Sequence, residues 1–143
     1  MEPQDVDAHL AERANQMYPN IVAIGRLHWP DYAATVDGSD QGLVKFTKQE
    51  KQAMQERAGG FPAAVVLVLT PTQLFVCKYK VGRSAVKMDE VKGWGRDLVR
   101  CAVSYPYGSD DYARVELTTA ERRIELDAAD AKGANRAFLA ALS

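Results

Sequence analysis

Very little of the usual chemical machinery is present in this sequence. It holds two cysteines, Cys77 and Cys101, and two histidines, His9 and His28. The cysteines sit far apart in separate strand-like runs, so they form no short zinc knuckle. Spacing alone neither requires nor excludes a disulfide between neighbouring strands. Two buried free thiols are the expectation, because free Cys packs as a small apolar residue. His9 falls on the polar side of a helix and reads as solvated. His28 ends a strand beside Trp29 and reads as packed. There is no Walker-type phosphate loop and no dinucleotide-binding glycine fingerprint. Gly93-Trp94-Gly95 is too short to cradle a phosphate and does not lead from a strand into a helix. Asp110-Asp111, Asp127 and Asp130 read as turn and helix-cap acids. An active site needs convergent polar groups, and none is evident. No catalytic residue, metal or cofactor is therefore expected.

Long apolar stretches are also missing. The longest runs from Phe61 to Leu69, far short of the ~20 residues a membrane-spanning helix needs. The first residues, Met1-Glu2-Pro3-Gln4-Asp5, lack the apolar segment of a signal peptide. A reduced, cytoplasmic protein is the expectation. Charge of one sign is absent as well. The formal net charge is −1, so no global field draws nucleic acid or an anionic membrane. What remains is an ordinary globular composition, 47% hydrophobic and 26% charged over 143 residues. Such a chain reads as one domain, residues 1–143, able to bury about two thirds of its unfolded surface.

The apolar pattern divides the chain into elements. Val6, Leu10 and Ala14 share a helical face over Asp5–Met17, and Pro19-Asn20 ends it. This gives an N-terminal helical part, 1–20. Ile21–His28 is rich in branched apolar residues and reads as a strand. Trp29–Gly42 is loop-like. Thr47-Lys48-Gln49-Glu50 has capping-box spacing, which opens a helix to about Ala58, and Gly59-Gly60 with Pro62 stops it. From Ala63 the period becomes two. Ala63–Thr70 is continuously apolar, as a strand buried on both faces would be. Gln73–Lys80 returns after Pro71-Thr72, and Gly82 turns the chain into Arg83–Met88. Asp97–Tyr105, Tyr112–Thr118 and Glu121–Asp127 each alternate. The chain ends in a helix with Asp130 as its N-cap. Ala131, Ala134, Phe138 and Leu142 are spaced along one face, widened by Leu139 and Ala141. Short strands with tight turns point to a small barrel or sandwich. The last helix must bury its apolar face against the β layer.

Two of these segments resemble a known family. Val65-Val66-Leu67-Val68-Leu69-Thr70-Pro71-Thr72-Gln73-Leu74-Phe75-Val76 is similar to the paired strands of bacterial pleckstrin-homology-like (PH-like) domains. The closing Ala134-Asn135-Arg136-Ala137-Phe138-Leu139-Ala140-Ala141-Leu142 is similar to that family's C-terminal helix. The resemblance covers residues 63–143. It implies an α+β, mainly β fold: a split barrel or sandwich of about seven antiparallel strands, capped by the C-terminal helix. Two arrangements fit. Residues 21–28 form the first strand and 29–62 are a loop-and-helix insertion, or the β core begins at Ala63 and everything before it is an extension.

The resemblance and the missing catalytic set together lead to an interaction module. It would engage a protein partner or self-associate, since an exposed sheet edge accepts a partner strand. Phe46, Ala53 and Met54, around the internal helix, are candidates for that surface. The alternative reading is local and electrostatic. Residues 63–100 hold seven bases and three acids. Lys78, Lys80 and Arg83 flank one turn, with Lys78 and Lys80 on one strand face, and Lys87 and Arg96 follow. Trp94 is expected in the next loop. These six residues are the candidate site for an anionic ligand or lipid headgroup, because Lys and Arg pair strongly with phosphate oxygens. Nucleic acid is not expected, since it demands many phosphate contacts and no aromatic stacking platform is evident. A third reading is an enzyme built from scattered residues such as His28, Tyr79 and Cys101.

Overall fold

A computed structural model describes residues 3–32 and 46–143. Helix α1 spans Pro3–Met17, followed by strand β1, Ala23–His28. Helix α2 spans Lys48–Arg57. Strands β2 (Ala64–Leu69), β3 (Gln73–Val81) and β4 (Val86–Gly95) come next. One 3-10 turn, Arg96–Leu98, leads into β5 (Arg100–Ser104), β6 (Ala113–Thr118) and β7 (Arg123–Ala128). Helix α3, Arg136–Leu142, ends the chain. All seven strands form one antiparallel sheet in the order β4-β3-β2-β1-β7-β6-β5. Residues 23–28 are thus the strand joining the two halves, and the segment between β1 and β2 carries α2. Its loop lies largely outside the described residues. The sheet does not close: β4 and β5 are its two edges.

Local signals account for most elements. Thr47 accepts from the Glu50 amide at 3.0 Å, and Glu50 accepts from the Thr47 amide at 3.2 Å, a complete capping box. Gly59 and Gly60 at φ +74° and +83° release the chain from α2, a backbone region that favours glycine. The apolar run of β2 is buried because its two faces meet different partners. Val65, Leu67 and Leu69 face the main core, which includes Leu27, Val76, Val115, Leu126 and Phe138. Val66 and Val68 face α1 through Val6, Leu10 and Ala14.

Several expectations fail in detail. The strand expected over Arg83–Met88 begins at Val86 and runs on to Gly95, and Asp97 lies in the 3-10 turn before β5. The C-terminal helix does not begin after Asp130. Asp130 sits at φ +50°, and its carboxylate accepts from the Ala134 amide at 2.9 Å within a turn. Asn135 occupies the N-cap position instead. Ala134 is consequently exposed and outside the apolar stripe, while Ala131 is buried in the turn. Trp94 is not in a loop either. It lies in β4, opposite Leu74, and packs edge-on against Phe61 with ring centroids 6.4 Å apart.

The weak point of the sheet is the β1–β7 junction, where only His28 and Asp127 pair. Asn135 fills the gap beside it. Its carboxamide accepts from the Arg26 amide at 2.9 Å and donates to the Arg26 carbonyl at 3.0 Å. It also donates to the Ala129 carbonyl at 2.6 Å. A buried side-chain amide therefore does the work of a missing ladder rung. Phe138 of α3 lies directly over Gly25, and a Cβ there would stand 2.5 Å from its ring. Gly25→Ala should therefore destabilise the protein by about 1–3 kcal/mol through overpacking. Urea denaturation would read the loss. Adding Phe138→Leu should recover part of it, because the two sites couple; strictly additive losses would show that the ring is not wedged against this glycine.

Candidate functional site

Three regions carry the chemistry worth weighing: the β3–β4 hairpin, a polar network beneath the insertion, and the open edge of β5.

The hairpin brings together four of the six expected ligand residues. Lys78 stands opposite Asp89, and Lys80 opposite Lys87. Directly opposed residues share a sheet face, so Lys78, Lys80 and Lys87 share one face with Asp89, and Arg83 lies in the turn. All four cations are exposed. Beyond Cys77 the hairpin has no pairing to β2 and projects as a two-stranded ribbon. Among the described residues none of these four cations forms an ion pair. Trp94 and Arg96 are not part of the group. They lie at the opposite end of the hairpin, where the Arg96 amide donates to the Thr72 carbonyl. Eight ladder steps of β3 separate the ends, roughly 27 Å.

The polar network has no counterpart in the sequence reading. Asp31 follows β1 at φ +68°, a strained position for a non-glycine residue. Arg114 of β6 donates to Asp31 at 2.6 Å and to Asp127 of β7 at 2.9 Å. Arg57 of α2 bridges Asp31 at 2.8 Å and Glu125 at 2.7 Å. The Tyr107 hydroxyl contacts Asp31 at 2.6 Å and also Asp127. The Asp31 amide donates to Asp127 at 2.7 Å. Asp127 is fully buried, so its charge needs this compensation. Burial works to raise the Asp31 carboxyl. Hydrogen bonds from Tyr107, Arg57 and Arg114 outweigh it and hold the group well below the usual carboxylate range. Burial, with Asp127 and Asp31 beside it, pushes the Tyr107 hydroxyl far up. The network fastens the insertion to β6 and β7. Every described group in it is engaged by another, as in a latch.

The scattered enzyme candidates do not converge. His28 ends β1, Tyr79 is on β3, and Cys101 is on edge strand β5. Tyr79 lies under Arg26, whose guanidinium carbon is 5.7 Å from the ring centroid. Burial lowers the His28 pKa, Arg26 adds to this, and Asp127 opposes it. Burial raises both thiols, which leaves them protonated and weak as nucleophiles at neutral pH. Among the described residues no group of His, Cys, Asp and Glu could hold a metal ion. A cleft of about 240 Å³ beside His28 is lined by Asp7, Arg26, Asp130 and Asn135. Arg26 reaches Asp7 at 3.1 Å and Asn135 bonds backbone, while the buried Arg26 Nε has no hydrogen-bond partner among the described residues.

The proposed surface around α2 is also not free. Met54 is buried and Phe46 packs partly against the core. Of those three residues only Ala53 is exposed.

The open edge belongs to β5. Among the described residues this strand pairs with β6 alone. Its inner-face residues Cys101 and Val103 pack against the core but are only half-buried, as is Ala141 of α3. Its outer-face residues Arg100, Ala102 and Ser104 are exposed. Leu98 and Tyr105 flank it at 67% and 50% exposure. The other edge differs. β4 carries Lys87, Asp89, Glu90 and Lys92, all exposed, and has an irregular register opposite Val76/Cys77. Charges and bulges are how sheets guard an edge against further pairing. β5 has one charge, Arg100, and a regular register along its length.

No protein-family model matches this chain, and no curated protein matches it either.

Two outcomes are expected of the latch. Arg114→Leu leaves buried Asp127 without its main partner and should cost roughly 3–5 kcal/mol. The Asp31 carboxyl is lower in the folded state than in the unfolded chain. Its stabilisation is therefore present above about pH 4 and lost as pH falls below that. Asp31→Asn should accordingly lower the urea midpoint at pH 7 but flatten its decline towards pH 3. An unchanged acid limb in that variant would place the pH dependence elsewhere.

Proposed function

We propose that this chain is a non-enzymatic PH-like binding module, which takes an extended protein segment, from a partner or from another copy, onto the open edge of β5. The unguarded edge is the observation that carries this reading. Main-chain groups along an edge strand supply affinity to an added strand, and alternate side chains supply selectivity. Cys101 and Val103, with Ala141 nearby, offer a shallow apolar strip to alternate residues of such a segment. The strand order, with a C-terminal helix over the β1–β7 junction, fits the seven-strand-and-helix arrangement that the resemblance implies. The engaged latch and the protonated thiols favour recognition over chemistry.

Extended peptides selected from a random library against the folded chain should slow amide exchange at Arg100–Ser104. Selected peptides that instead protect β4 or the β3–β4 turn, or a library that yields no binder, would sink the edge assignment.

One observation favours a second reading. Lys80 and Lys87 oppose each other directly, an arrangement that costs stability, and with Lys78 and Arg83 nearby they outnumber Asp89, the acid on that face. An anionic ligand, a phosphate or a lipid headgroup, would bind at Lys78, Lys80, Arg83 and Lys87. Retention on anionic vesicles should fall with salt and vanish in the Lys80→Glu/Lys87→Glu variant. Equal retention of the variant would remove this reading.

A further inference from the structure

The β5 edge has a property that narrows its occupant: it is complementary to itself. Place a second β5 antiparallel to the first about a two-fold axis through Ala102. Such an axis keeps inner face on inner face, so the pairs follow from the sequence. On the inner face, Cys101 stands opposite Val103 of the second copy, and Val99 opposite Tyr105. On the outer face, Arg100 stands opposite Ser104, and Ala102 opposite itself. No pair sets like charges against each other, and none sets a charge against an apolar side chain. The same operation on β4 gives a poorer result. Its ladder is broken by the irregularity near Glu90, and exposed Lys87, Asp89, Glu90 and Lys92 crowd the edge.

The flanks point the same way. Leu98 and Tyr105 are among the few large apolar side chains left exposed, at 67% and 50%, and they bracket this strand. A two-fold copy brings apolar surface to both ends at once, whereas a single short peptide would need apolar groups at both of its own ends. The outer-face side chain on the axis is a methyl group, which is exposed and holds no other role in the fold.

We infer that the β5 edge is a self-association surface, on which a second copy of this chain pairs its own β5 antiparallel about Ala102. This rests on the β5-edge reading and names its occupant. The strand spans roughly 17 Å, so the patch is at the small end of specific interfaces and the association is reversible. A continuous sheet then runs through both copies, with the guarded β4 strands as its outer edges.

The test uses the whole chain. Sedimentation across a wide concentration range, under reducing conditions, should show a monomer–dimer equilibrium. Ala102→Lys puts like charges on the axis without touching the core and should raise the dissociation constant roughly fivefold. Cys101→Ser/Ala102→Cys, oxidised at a concentration that favours the dimer, should form a disulfide-linked dimer, because the two residues face each other within bonding reach. Cys101→Ser/Leu98→Cys should not, since its two sulfurs would lie roughly 27 Å apart along the strand. A monomer at every concentration overturns self-pairing, and so does a dimer that crosslinks as well at position 98 as at 102. If the chain stays monomeric while selected peptides still protect β5, the edge reading stands and only the occupant is wrong. If peptides also fail to protect β5, the edge reading falls with it.

Discussion

The side-chain amide of Asn135 holds the two limbs of the sheet together. Beside the single β1–β7 rung at His28, it meets the amide and carbonyl of Arg26 as a neighbouring strand would. This fixes where α3 begins, and that in turn puts Phe138 over Gly25. A side chain at position 25 would push the helix away and expose the core beneath it. The rest of the arrangement follows from this seam. A sheet that splits there need not close elsewhere, and its two ends are left as separate edges, β4 and β5.

Charge is divided between the limbs in a way the total of −1 conceals. Around β6 and β7 the arginines are engaged: Arg57 and Arg114 in the latch, Arg123 on Glu116, and Arg122 on the last turn of α2. On the β3–β4 ribbon the cations face water. Within the first group Arg114 is structural, because its removal strands buried Asp127. The second contributes little to stability, so it is open to change or to use. The edge strand β5 stands apart from both, almost uncharged.

Much of this was legible in the sequence wherever a signal is local. The capping box at Thr47, the glycine stop after α2, the unbroken apolar run of β2 and the alternation in β5, β6 and β7 all correspond to observed elements. Signals misled where a residue serves a neighbour distant in sequence. Gly93 and Gly95 look like loop punctuation around Trp94. Yet Gly93 is a strand residue lying against the Phe75 ring, where a Cβ would stand 2.8 Å away. Asp130 looks like a cap but bends a turn. Asp31, Tyr107, Arg114 and Asp127 left no trace as a group, because no spacing rule joins residues that meet only through the fold. The one hint was Asp127, a carboxylate beside the inward-facing Leu126 in a strand that is otherwise mostly buried. Of the expected ligand residues, Lys78, Lys80, Arg83 and Lys87 lie together on one hairpin, as their close spacing implies. Local spacing had no means of seeing that a long ladder carries Trp94 and Arg96 away from them.

Helix α1 lies across one face of the sheet while the main core fills the other, so β2 is the most enclosed strand of the protein. Its amides are shielded by β1 and β3 at the sides and by apolar layers above and below. Exchange with solvent there requires the opening of nearly everything else. Strand β5, with one ladder and one open flank, can loosen alone. The molecule thus has a rigid spine and a compliant margin, and the margin coincides with the edge proposed for recognition. An edge that frays cheaply can adjust to an incoming strand while the spine keeps its shape.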